Sequence, residues 1–167
     1  IRARGVGCER GRVTEWATWL AGGVDCSKRR LHFAVRDWVV GDAVRGHALD
    51  IDEWPVPSDV MGTREALFTA LCELRDKRIG LGYRDASGKL HAVAWTLVDV
   101  GWMKEVVMAF MLDCKNRGIR GWMGVLGRGQ SEPPGGGTYN HPKAVDGEKI
   151  LWRGEQCHIR MDGEFGL

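Results

Sequence analysis

Trp19-Leu20-Ala21-Gly22-Gly23-Val24-Asp25 is the stretch on which the fold turns, and Ala92-Val93-Ala94-Trp95-Thr96-Leu97-Val98-Asp99 repeats its design. Both are short apolar runs rich in Val, Leu and Trp, the pattern of strands buried in a parallel or mixed sheet. Each closes on an aspartate. Open α/β sheets bind ligands at the carboxyl ends of their strands, so two strand-end carboxylates make a candidate site if their strands are neighbours. Neighbouring strands lie about 4.8 Å apart, close enough for the two carboxylates to share a divalent cation.

Outward from the first run, Cys26-Ser27-Lys28-Arg29-Arg30 reads as a polar turn. Residues 31–40 and 46–54 alternate with period two, predicting two half-buried strands that complete an antiparallel three-strand meander. Pro55 and Pro57 end it. Residues 63–78 form a helix with the stripe Ala66, Leu67, Ala70, Leu71, Leu74 and Thr63 as its cap. A polar loop at 83–89 leads to the second key strand, which is apolar on both faces apart from Thr96 and is expected to be covered on both. A second helix at 103–117 then crosses over to a parallel strand at 119–125. Glycines and the Pro133-Pro134 pair forbid regular structure over 127–146. Residues 148–153 and 156–161 form a last hairpin, or the second opens a helix; both readings stand.

The bulk numbers fit one domain. At 167 residues the chain can bury a real core, and 44% hydrophobic with 28% charged residues is ordinary for a globular protein. A net charge of +2 means that any nucleic-acid contact needs a local basic face. No apolar stretch nears the roughly 20 residues that cross a bilayer, and no P-loop is present. Five scattered cysteines, never spaced as C-x-x-C, read as reduced thiols. The segment 1–15, with Arg2, Arg4, Arg10 and Arg12, reads as a linker or arm, and 16–167 as the domain. Opening on Ile, the chain is expected to be a piece of a longer protein.

Taken alone, Asp25 is a turn residue and Asp99 a favourable charge ahead of a helix. Together, on adjacent strands, they favour a metal site. Phosphodiester hydrolysis by in-line attack uses two cations roughly 3.5–4 Å apart, clamped by shared carboxylates. Mg²⁺ or Mn²⁺ suits such ligands. A third ligand is expected from the C-terminal segment: Asp162 by preference, or else His158 or Glu155. On a helix the three share a face, whereas on a strand Glu155 faces away from the others. Lys28, Arg29 and Arg30, with Arg128 and Lys143, are candidate contacts to a DNA backbone. His32, His47, His91 and His141 stand singly and read as structural. Core packing is the expected role of Trp19, Trp38, Trp54 and Trp95.

The order β-β-β-α-β-α-β, with acids ending the first and fourth strands, is the layout of an RNase H-like α/β fold: a meander plus parallel strands, with helices on both faces. Three segments carry a closer resemblance. Ala21-Gly22-Gly23-Val24-Asp25 with its basic turn, Val98-Asp99-Val100-Gly101-Trp102, and Leu151-Trp152-Arg153-Gly154 resemble motifs of the C-terminal nuclease domain of a tailed-phage terminase large subunit, in the lambda-like branch. The resemblance implies a metal-dependent endonuclease that cuts concatemeric double-stranded DNA, with Asp25 and Asp99 as its first two ligands. It further implies an ATPase domain upstream, a portal and a small terminase subunit as partners, and a place in the host cytoplasm at the procapsid portal. After Gly154 the family's acid-then-lysine pattern is replaced by Glu155-Gln156-Cys157-His158, which leaves the third ligand open. The alternatives are another RNase H-like nuclease, such as a resolvase or integrase-like enzyme, and a metal-free module that docks on a packaging partner.

Overall fold

A computed structural model describes residues 9–40, 44–126, 149–153 and 158–161. Its elements in chain order are β1 (Arg12–Val13), β2 (Trp19–Cys26), β3 (Arg30–Val39), β4 (Arg45–Pro55), α1 (Thr63–Lys77), a single 3₁₀ turn (Ile79–Leu81), β5 (Tyr83–Asp85), β6 (Leu90–His91), β7 (Val93–Asp99), α2 (Lys104–Asn116), β8 (Trp122–Val125), β9 (Lys149–Arg153) and β10 (His158–Met161). The fold is a mixed α/β one. Its central sheet has five strands in the order β4-β3-β2-β7-β8. The predicted meander is present, β4 and β3 both pairing antiparallel as β3 and β2 do, and β7 lies parallel to β2 with β8 parallel to β7.

Period two sorts the sheet into two faces. Leu20, Val24, Leu31, Phe33, Val35 and Val98 are buried on one. Against them pack Leu67, Leu71 and Leu74 of α1 and Val107, Phe110 and Cys114 of α2, in one continuous core. The two helices lie side by side on that face: Arg75 of α1, almost wholly buried, donates to Asp113 of α2 at 2.6 Å and lies over the Phe110 ring. Among the described residues no helix covers the other face, so the expectation of helices on both is not met there. The misleading signal was β7. Trp95 and Leu97 are apolar yet only half-buried, and Ala94 beside them is exposed. Trp19 and Trp38 likewise stand outside the core, and only Trp122 among the described tryptophans is buried in it, with Trp54 and Trp102 packed at its edge.

Close approaches set the edges of the sheet. Gly121, at φ 86°, lets the entry to β8 press on β7: a Cβ there would sit 2.3 Å from the Ala94 carbonyl, and its own carbonyl accepts the Thr96 N–H at 2.7 Å. The segment read as an arm supplies β1, which runs parallel to β5, and the loop expected at 83–89 is the small hairpin β5–β6. Gly62 rather than Thr63 precedes α1, with no side-chain cap. The last two strands form an antiparallel hairpin, which rules out the helical alternative for 158–161. Cys26, Cys72 and Cys114 are free thiols, as expected. Among the described residues no helix is long and apolar enough to cross a membrane.

Candidate metal centre

The register of the central sheet brings the two aspartates together. Val24 of β2 pairs with Val98 of β7, so Asp25 and Asp99 are the next residues of two adjacent parallel strands. Alternation sends both side chains to the uncovered face, where they line one shallow trough of about 740 Å³. The spacing of adjacent strands, about 4.8 Å, is the one the site requires.

Their surroundings differ. Asp99 is half-buried, and its Oδ1 accepts the Gly101 N–H at 3.0 Å, which fixes the carboxylate in the turn leading to α2. Asp25 is exposed, and no protein donor among the described residues holds it. The neighbouring Cys26 points into the core. Burial foremost, and then the two carboxylates, push its thiol up to about 12.

His32, which reads as structural in the sequence, and Glu53, which the sequence does not single out, extend the pair across the sheet. Asp25 is opposite His32 on β3, and His32 is opposite Glu53 on β4. His32 Nδ1 lies 3.4 Å from Glu53 Oε1, and Arg30 also bonds Glu53. The row Glu53, His32, Asp25, Asp99 thus crosses four strands. Its signal in the sequence was the meander itself, because once the turn at 27–29 is placed, His32 must stand beside Asp25.

The donor set fits a hard divalent cation in part. Two carboxylates at strand ends suit Mg²⁺ or Mn²⁺, which take their remaining ligands from water and phosphate. No group of three ligating side chains with metal geometry occurs among the described residues. Asp162 and Glu155 lie outside the described residues; His158 opens β10, which lies beside β8. Lys28 and Arg29 are exposed on the turn between β2 and β3, and Arg30, also exposed, opens β3. Arg29 approaches Asp59 at 4.0 Å. Arg128 and Lys143 lie outside the described residues.

What the fold and site define is an α/β domain with a mixed five-stranded sheet and a carboxylate pair at the carboxyl ends of its two central parallel strands. No family model matches the chain, and no curated protein matches it. Among solved structures it is similar to a RuvC structure from Thermus thermophilus, with 12% identity and a TM-score of 0.40 over 64% of this chain and 60% of that one. It is also similar to an exopolyphosphatase from Cytophaga hutchinsonii, with 16% identity and a TM-score of 0.36 over 65% of this chain and 34% of that one. The chain thus spans less than two thirds of either structure.

Proposed function

We propose that this chain is a metal-dependent nuclease domain of RNase H-like architecture, acting on double-stranded DNA as the nuclease part of a viral packaging terminase. One observation carries it: Asp25 and Asp99 follow the Val24–Val98 pair at the ends of adjacent parallel strands, on the face that no described helix covers. The strand order and the resemblance of the two strand-end motifs to the terminase nuclease support the finer reading. In it the portal and the small terminase subunit are partners, and the site of action is the procapsid portal in the host cytoplasm.

Asp25 and Asp99 would hold the cation, with Asp162, His158 or Glu155 completing the set. A bound Mg²⁺ or Mn²⁺ supplies a water of lowered pKa and charge to steady the leaving oxygen. The chain's own part is placement. Gly101 fixes Asp99, so one carboxylate needs no reorganisation, and the exposed Asp25 completes the grip. Lys28 and Arg29 offer charge to the phosphate backbone beside the trough without reading sequence. Arg30 and His32 are both engaged with Glu53, which keeps that third carboxylate from repelling the strand.

Nicking of supercoiled plasmid in Mn²⁺ or Mg²⁺ tests the reading, comparing the parent protein with Asp25→Asn and Asp99→Asn. Metal-dependent nicking that either substitution abolishes is the expected result. Cleavage that survives both rejects the carboxylate pair as its source, and no cleavage at all favours a docking module.

A further inference from the structure

The uncovered sheet face carries a second feature, at the opposite end of the same strands from the acids. Trp19 of β2 and Trp38 of β3 stand opposite each other with ring centroids 6.1 Å apart and planes 21° apart, a stacked pair. The Arg36 guanidinium lies 5.1 Å over the Trp38 ring and forms no ion pair among the described residues. Beneath Trp38 the backbone is cleared by Gly46, where a Cβ would meet the ring at 2.7 Å. Trp19 is 37% exposed, and neither ring belongs to the core. Two stacked rings at the surface, beside a guanidinium with no acidic partner among the described residues, form a patch of the kind that binds ligands.

Alternation joins the two ends. Trp19, Ala21, Gly23 and Asp25 follow one another along this face of β2, and six residues of strand span ~20 Å. Ala21, Gly23 and Ala34 keep the middle of β2 and β3 low, with open space where a Gly23 Cβ would stand, between Trp95 and Leu97 of β7 on one side and Ile51 of β4 on the other. A strand of stacked nucleotides rises ~3.4 Å per step, so ~20 Å is about six steps, and fewer where the strand is drawn out.

We propose that this face is a track for an unpaired nucleic-acid strand, whose bases stack on the Trp19–Trp38 platform while its backbone runs along the trough to the carboxylates. The proposal deepens the nuclease reading and rests on it: the double-stranded substrate would carry an unpaired arm beside the cut, and that arm is what this face holds. Stacking needs a base with a free π-face, which an intact duplex does not offer, and Arg36 supplies the charge that a neighbouring phosphate takes up. DNA and RNA strands share this chemistry.

Binding is measured in the Asp25→Asn, Asp99→Asn double variant with the divalent cation chelated, so that neither cleavage nor the two bare strand-end charges of the trough enter. Tryptophan fluorescence is followed during titration with twelve-residue oligo-dU, twelve-residue oligo-U and a blunt duplex of equal length. The single strands quench and the duplex does not; whichever single strand binds more tightly identifies the preferred sugar. Trp19→Ala weakens binding about tenfold, and Trp19→Phe, which keeps a stacking ring, restores most of it, with unchanged circular dichroism showing that both variants fold. Equal quenching by the duplex, or an affinity that Trp19→Ala leaves untouched, overturns the track. Because chelation silences the nuclease, a failure here leaves the plasmid result standing, and a failure there leaves this one.

Discussion

Asp25 and Asp99 have the same side chain and opposite settings, and the difference has consequences. Asp99 has a local bond to the Gly101 N–H, whereas Asp25 is held by no protein donor among the described residues. An asparagine at 99 keeps a carbonyl oxygen for Gly101 and loses only the charge. Asp25→Asn and Asp99→Asn are therefore both expected to cut metal-dependent nicking at least ~100-fold while stability moves by no more than ~0.5 kcal/mol, read by thermal melts beside the plasmid assay. Arg75 is the contrasting case, a charge placed for structure. It is nearly fully buried, bonded to Asp76 and Asp113 and lying over Phe110, and the carboxylate bonds raise its pKa further above the usual guanidinium value. Both partners keep contact with water, so the full penalty of a broken buried pair does not apply. Arg75→Ala is expected to lose about 2 kcal/mol of stability by denaturant titration, with nicking unchanged at temperatures where the fold persists.

Asp50 joins four elements that are distant in sequence. Its buried carboxylate accepts from Arg10 ahead of β1, from Arg78 after α1 and from the Tyr83 hydroxyl on β5. Burial, then the Asp50 charge, pushes the Tyr83 phenol above its ordinary range. Asp50→Ala leaves the buried Tyr83 hydroxyl without its acceptor, while Arg10 keeps Asp52 and both arginines keep contact with water, and it is expected to destabilise by about 2 kcal/mol, with hydrogen exchange rising first in β1 and β5. The β5–β6 hairpin has its own pH signature. Asp85 accepts from the Ser87 hydroxyl and backbone, from His91 and from the Lys89 N–H, which hold its carboxyl well below the usual carboxylate range. A depressed folded value means the stabilisation is complete above the unfolded value near ~4 and fades as pH falls from there toward the folded one. Thermal melts from pH 7 down to 2 should show that loss, and Asp85→Asn should remove the part of it that Asp85 carries. Neither element was legible beforehand. A strand of three residues and one of two give no period, and Arg10 reaches Asp50 only after four elements have packed. The meander, both helices and the two strand-end aspartates were legible, because each rests on a run long enough to show its periodicity. Glu53 was not, because its place opposite His32 depends on the register of a third strand, and His32 came beside Asp25 only once the turn at 27–29 was fixed.

Across the molecule, the described part of the sheet is lopsided: helices, core and most apolar burial lie on one side, and the acids, the stacked tryptophans and half-covered apolar residues such as Leu97 on the other. Sequence reading covered both sides because Trp95 and Leu97 are as apolar as core residues, and only the placement of α1 and α2 together on one face shows that they are not enclosed. That layout makes cation binding a test of the fold as well as of the site. Asp25 and Asp99 belong to strands separated by the meander and α1, so they meet only when the sheet is assembled and the unfolded chain has no equivalent pair. A cation that binds the folded form alone stabilises it by RT ln(1 + [L]/Kd), about 2.7 kcal/mol at a concentration a hundred times Kd. For a chain of this size each kcal/mol moves Tm by about 2–4 °C, so Mn²⁺ at that excess should raise Tm by roughly 5–10 °C. Asp25→Asn or Asp99→Asn should flatten the rise without lowering the metal-free Tm appreciably, whereas Cys26, buried and turned to the core, should be silent when replaced by Ala apart from a fixed loss of packing. A Tm that climbs equally in the parent and in both asparagine variants would place the cation elsewhere on the surface and separate the strand-end aspartates from metal binding altogether.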